Sequence, residues 1–304
     1  MIKYEKLAAK PGLFKSFTGL TRAAFAEVLP AFSEAYEIAL QAQEAHRENP
    51  RQRQAGGGRP ATLDSRADQL VFILVYFRFY PVQVLQGFLF GMGQPQANEW
   101  IHRLSPVLAS ALGAKQQLPA RRTRDLTTIL AACPDLEFII DGTERPIRRP
   151  QQAIAQKENY SGKKKRPTVK NIILTQKKTG KIKGLSDTSA GKKHDKKLAD
   201  EQDIVFPPGS KLWKDTGFQG YEPPHTTPFQ PTKKPKGNDL TADQKTENAQ
   251  IARQRIGVEH SLAGVKVYAI ARETFRNFRP GFADSVIVIT CGLHNLRRDF
   301  PLTA

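Results

Sequence analysis

The sequence predicts an all-α N-terminal block followed by a mixed α/β (α+β) sheet domain. Up to about residue 120, apolar residues recur at helical spacing between glycine- and proline-marked breaks. After about residue 135, short apolar runs of strand type alternate with polar turns and helices. The length, 304 residues with 39% hydrophobic, suffices for two domains and a sizeable core. The expected division is a helical segment at 1–50, a basic glycine-rich linker at 51–64, a helical domain at 65–120, a linker at 121–134 and an α/β sheet domain at 135–304.

In the first segment, Leu20, Phe25, Val28, Leu29, Phe32 and Ile38 follow helical intervals, with Thr21 as N-cap. From Arg47 the chain turns polar, basic and glycine-rich, an exposed linker suited to a phosphate backbone. "SRADQLVFILVYFRFY" reads as one helix capped by Asp64 or Ser65. After Pro81, "VQVLQGFLF" is a short helix, "GMG" a turn, and "QPQANEWIHRLSPVLASAL" a helix broken or kinked near Pro106. Helix, glycine turn, helix is the helix-turn-helix outline. Its second helix would present Gln94, Gln96, Asn98, Glu99 and Arg103 to DNA, where Gln and Asn can pair bidentately with adenine. The competing reading is a bundle that only braces the second domain. Residues 120–135 read as a linker with one basic cluster.

In the second block, "LEFIID", "PTVKNIILTQ" and "GKIKGLSDTSAG" are strands, the last two joined by a "KKTG" hairpin turn. "DKKLADEQ" is a short helix and "KLWKDTGF" a strand. A proline-rich insertion runs from Glu222 to about Lys236. A long helix spans about Ala242 to Lys266, and "FADSVIVITCGLHNLRRDF" closes the chain with Ile287, Thr290, Cys291, His294 and Leu296 on its core face.

Charge narrows the partners. Lys plus Arg number 47 against 29 Asp plus Glu, a formal +18. Such an excess opposes compaction by self-repulsion and calls for a polyanion, nucleic acid before membrane. The longest apolar run, Leu70 to Phe77, is too short to cross a bilayer, and the N-terminus lacks a signal-peptide core. Cys133 and Cys291 read as buried thiols, which fits a reducing, cytoplasmic setting. Between Lys157 and Lys197 fourteen Lys and Arg, among them Lys163, Lys164, Lys165 and Lys170, face three acids. This block reads as a phosphate-contacting surface, or else as a merely solubilising run.

Two strands end alike: Asp141 precedes Gly142, and Asp215 precedes Thr216-Gly217. Asp-Gly alone is a common turn. Repeated at two strand exits in a basic protein, it points to carboxylates that converge if the strands are parallel neighbours. On the long helix, with Arg255 at zero, Glu259 falls at about 40° and Lys266 at about 20°. This charged stripe borders the apolar Ile251, Val258 and Leu262, as a stripe aimed into a site would. Gly257 and Gly264 inside the helix each cost about 1 kcal/mol relative to Ala, which close packing on the sheet would explain. Three carboxylates suit hard divalent cations, Mg²⁺ or Mn²⁺. Two such ions about 4 Å apart would serve an in-line phosphoryl displacement.

"DGTERPI", "YSGKKKRPTVKN", "GKKHD", "KDTGFQGY" and "RQRIGVEHSLAGVK" together resemble the DDE transposases of the insertion-sequence-five-like, Harbinger-related branch, over about Ser65 to Phe300. The resemblance implies an RNase H-like catalytic domain after a helix-turn-helix that binds transposon ends. It implies Asp141, Asp215 and Glu259 as the catalytic, metal-binding triad. In the helix signature Tyr-Arg-Glu-Lys, Arg255, Glu259 and Lys266 match, and Ala252 stands at the tyrosine position. Gly217-Phe218 replaces the usual Gly-Tyr. Arg255 and Lys266 would hold phosphates. His194 and Asp195 would support the site, with Asp195 the reserve ligand should Asp215 fail. The implied chemistry is hydrolysis at the transposon end, then attack of the freed 3′-hydroxyl on target DNA, by a homodimer or larger assembly at the bacterial nucleoid. A nuclease that cuts without joining and a non-catalytic DNA-binding protein are the alternatives.

Overall fold

The Thr21 hydroxyl accepts a hydrogen bond from the Ala24 amide at 3.1 Å and caps a 24-residue helix. Ser65, rather than Asp64, caps the next long helix through the Asp68 amide at 3.0 Å. The structure, a computed structural model, describes residues 1–46, 61–235 and 237–301. Most of the expected glycine-rich linker, 47–60, lies outside the described residues.

The chain divides into two compact units. The first comprises Met1–Leu118, Val267–Ala271 and Ser285–Ala304. It contains α1 (Tyr4–Ala8), α2 (Pro11–Thr18), α3 (Arg22–Ala45), α4 (Arg66–Phe79), α5 (Gln83–Phe90) and α6 (Gln94–Ala114). Every residue of α4 from Asp68 to Phe77 is buried, as expected of a helix apolar on all sides. α6 runs through Pro106 without interruption, so of the break or kink expected there the break is absent. Between α5 and α6 the chain reverses at Gly91, whose φ of 70° favours glycine, and the Met92 amide donates to Gly87 O at 2.9 Å.

The second unit comprises Pro119–Lys266 and Arg272–Asp284. It begins with α7 (Thr123–Ala131), where a linker was expected; Leu126 and Leu130 bury its apolar face. Its other elements are β1 (Glu137–Pro146), α8 (Ala153–Asn159), β2 (Tyr160–Ser161), β3 (Arg166–Gln176), β4 (Ile182–Leu185), β5 (Ser189–Ala190), α9 (Asp195–Gln202), β6 (Ser210–Trp213), β7 (Thr226–Phe229) and α10 (Ala242–Lys266). The closing helix, α11 (Phe282–Asp299), passes from the second unit into the first at Ser285. The expected 135–304 segment is thus shared between the units.

The sheet order is β2-β3-β1-β6-β7, with β4 and β5 also pairing β3. β1 and β3 are antiparallel, whereas β1/β6 and β6/β7 are parallel. Side chains alternate across β1. Phe138 and Ile140 join a cluster with Leu126, Leu130, Leu198, Phe206 and Phe218, between the sheet and α7 and α9. Ile139 faces the other way, toward α10, where the Cβ that Gly257 lacks would lie 3.8 Å from Ile139 Cδ1. That is ordinary contact distance, so the packing there does not demand glycine. The Ser261 hydroxyl ties α10 to the β3–β4 turn through Gly180 O at 2.9 Å. Cys133 and Cys291 are buried thiols. Among the described residues no helix is long and apolar enough to cross a membrane.

Candidate active site

The β1/β6 ladder pairs Phe138 with Leu212 and Ile139 with Trp213. Carried two residues further, this register sets Asp141 opposite Asp215 where the strands part. Asp141 is not in a turn, however. β1 stays paired with β3 through Pro146, with Asp141 opposite Ile173. The Asp141 carboxylate shares the α10 side of the sheet with Ile139 by alternation. Its Oδ1 accepts a hydrogen bond from the Gly142 amide at 2.8 Å. Asp215 lies just past β6, and its Oδ1 accepts from the Gly217 amide at 2.7 Å at the start of a short 3₁₀ turn.

Beside both aspartates sits Asp195, the first residue of α9. A Cβ on Gly142 would approach its Oδ1 to 2.8 Å, and a Cβ on Gly217 its Oδ2 to 3.2 Å. Glycine at both positions lets the Asp195 carboxylate lie against the two backbones. Burial pushes the Asp141 carboxyl up to about 6, Arg255 opposes this, and Asp215 and Asp195 raise it further. The three aspartates and Arg255 therefore share one electrostatic neighbourhood. Lys266 belongs to it too: burial depresses its ammonium, nearby Lys164 adds to this, and Asp141 opposes it.

Glu259 is exposed on α10, four residues beyond Arg255. Among the described residues no group of three or more His, Cys, Asp or Glu stands close enough to hold a metal together. The expected three-carboxylate cage is thus not preformed. The donor set nonetheless fits a hard divalent cation. It consists of oxygen ligands, and a carboxyl raised by burial and by acidic neighbours is relieved by a cation. Arg255 Nε is buried without a hydrogen-bond partner.

The basic residues divide. Lys163, Lys164 and Lys165 are exposed in the turn between β2 and β3. Lys170, expected among the DNA contacts, is instead buried, 2.9 Å from Asp195 Oδ1 and 3.4 Å from Glu144 Oε1. The Asp195 contact is an ion pair without hydrogen-bond alignment, since that oxygen has no hydrogen-bond partner. Lys170 also donates to Lys193 O at 3.0 Å. Glu144 lies opposite Lys170 in the β1/β3 register, a partner that strand pairing reveals and sequence reading passed over. His194 is exposed beside Asp195. Ala252, at the signature's tyrosine position, is exposed on α10.

In the helical unit Gln94, Gln96, Glu99 and Arg103 are exposed on α6. Gln94 and Asn98 are engaged with α5: Gln94 Nε2 donates to Gln83 Oε1 at 2.5 Å, and Gln83 Nε2 to Asn98 Oδ1 at 2.7 Å. They brace the turn between the helices. The Arg103 guanidinium stacks 5.1 Å from the Trp100 ring.

A family model described as "DDE superfamily endonuclease" matches residues 140–295, and "Helix-turn-helix of DDE superfamily endonuclease" matches 62–114. The chain is 28% identical over 277 residues, 90% of each sequence, to a protein of Microchaete diplosiphon named "Probable transposase for insertion sequence element IS702". No solved structure matches. The α4–α6 helices are the helix-turn-helix, and the sheet of mixed direction is that of an RNase H-like domain. With acids on adjacent strands of the sheet, a net charge of +18 and a family match over half its length, the chain belongs to the DDE superfamily of endonucleases.

Proposed function

We propose that this protein is the transposase of an insertion sequence, binding the element's ends and catalysing both strand cleavage and strand transfer. The observation that carries the chemistry is the parallel β1/β6 pairing, which sets Asp141 and Asp215 side by side where these two strands part, with Asp195 against the glycine that follows each. The relative's name supports the biological role. In this reading Asp141 and Asp215 bind the divalent cations, Mg²⁺ or Mn²⁺. Glu259 completes the triad from α10, reaching the site when DNA and ions draw the helix in. When bound, the ions supply Lewis-acid polarisation of the scissile phosphodiester. Arg255 holds a phosphate oxygen, and Lys266 neutralises charge beside Asp141. Lys170 fixes Asp195 against the two glycine backbones. Lys163, Lys164 and Lys165 contact the duplex backbone, while Gln96 and Arg103 of α6 face the groove. Joining two ends takes at least two protomers, so a homodimer or larger assembly on double-stranded DNA, at the nucleoid of a bacterial cytoplasm, is part of the proposal.

The test is a cleavage and strand-transfer assay on DNA carrying the element's ends, with and without Mg²⁺. Wild type should give joined products only with metal, and Asp141→Asn none. Full activity in Asp141→Asn would sink the site. Cleavage without joining by wild type would favour a nuclease.

A further inference from the structure

Beyond β1 the chain lines a second site. Ile147 bridges Phe275 in parallel, and the Phe275 amide donates to Pro146 O at 2.8 Å. These contacts hold residues 147–152 against residues 275–283 around a cleft of about 810 Å³. The fourteen residues that line it include three arginines, Arg148, Arg149 and Arg279, and no acid. Phe278 stands at this cleft with 75% of its surface exposed, although Phe275 three residues before it is buried. The Arg148 guanidinium lies 5.4 Å from the Phe278 ring centroid, and Arg149 donates from Nε and Nη2 to Gln156 Oε1 at 3.0 and 2.8 Å.

An exposed ring alone carries no argument, since single apolar residues are common at surfaces; what marks Phe278 is its place in an arginine-lined cleft. A flat aromatic face flanked by cations, without a carboxylate, complements a base with its phosphate. Stacking on such a platform requires the base to be unpaired, because a duplex hides its faces. An acidic protein segment would meet the same ring and arginines, but the +18 net charge of the chain favours a nucleic acid. Ile147 is six residues beyond Asp141, about 20 Å along an extended strand, or about six steps of DNA at about 3.4 Å each.

We propose that this cleft binds an unpaired nucleotide of the DNA substrate, its base stacked on Phe278 and its phosphate held by Arg148 and Arg279. The cleft grips a strand that has been opened about six nucleotides from the point of cleavage.

The inference rests on DNA as the ligand, and the test separates the two. Binding of the full chain is measured in EDTA, to prevent cleavage, by fluorescence anisotropy. The probes are two labelled duplexes of one sequence, blunt or with a tail of unpaired thymines. Wild type should bind the tailed duplex more tightly. Phe278→Ala should weaken tailed binding by about 5- to 150-fold, the range for losing one stacked base, and leave blunt binding within about twofold. Phe278→Tyr should retain the preference, which a merely structural role would not require. Arg148→Gln should lower the salt slope on the tail by about 0.7. Equal affinity of wild type for both duplexes, or equal loss on both in Phe278→Ala, overturns the cleft assignment alone. Failure of wild type to bind either duplex overturns the DNA reading itself.

Discussion

Replacing Asp141 by asparagine should stabilise the protein while ending its catalysis. In the folded chain the Asp141 carboxyl is raised from 3.8 to about 6, first by burial and then by Asp215 and Asp195, against the pull of Arg255. A carboxyl raised on folding costs stability wherever it is ionised. The cost is absent below the unfolded value, grows as pH rises from about 4 to about 6, and is constant above that. A shift of about two units corresponds to at most about 3 kcal/mol. Asp141 is only half-buried, and solvent screening brings the expected gain in Asp141→Asn to about 1–2 kcal/mol at pH 8. Asparagine keeps the shape and imitates the protonated form, so the gain should vanish near pH 4. The measurement is urea unfolding of both proteins in EDTA at pH 4, 5, 6 and 8, followed by circular dichroism. Added Mg²⁺ should raise the wild-type midpoint at pH 8 and leave that of Asp141→Asn nearly fixed. A variant less stable than wild type at pH 8, or a difference independent of pH, would refute the electrostatic account of the site.

Lys170→Met removes the cation between Glu144 and Asp195 and should destabilise the protein by about 3 kcal/mol in thermal melts; adding Glu144→Leu should recover part of the loss. Gly257→Ala should raise stability by up to about 1 kcal/mol in the same melts, because its methyl would sit at contact distance from Ile139. Glu259→Gln should abolish strand cleavage while shifting the unfolding midpoint by less than about 0.5 kcal/mol, since Glu259 is exposed. A large loss of stability in that last variant would mark Glu259 as structural.

What the sequence made visible was repetition and periodicity. Asp141 and Asp215 were readable as a pair because each follows an apolar run and precedes a glycine within two residues; that β1 and β6 are parallel neighbours was only a condition of that reading. The long helix and the core face of α11 were readable from spacing: Ile287, Thr290, Cys291, His294 and Leu296 are all buried. Other features depended on contacts between distant residues. Lys170 looks like its neighbours in a run of lysines, and its burial between Glu144 and Asp195 emerges only from the β1/β3 register and the position of α9. Asp141-Gly142 reads as a turn until β3 is laid alongside it and holds the strand straight to Pro146. β7 was hidden in a proline-rich segment. Pro228 is tolerated there because β7 is an edge strand, where a missing amide costs little. α7 was obscured by its basic start, although Leu126 and Leu130 carry the helical spacing.

The helical unit is discontinuous in the chain, and this sets an order of events during synthesis. Tyr268 is fully buried in that unit, its ring so near Gly19 that a Cβ there would lie 2.9 Å away. Asn295 donates to Gln117 O at 2.8 Å, and Gln117 to Asp299 at 2.9 Å. A nascent chain that has emerged only as far as residue 118 lacks these partners. The portion made first is therefore finished last, when α11 leaves the ribosome. A truncated product carrying α1 to α6 would be an incomplete fold.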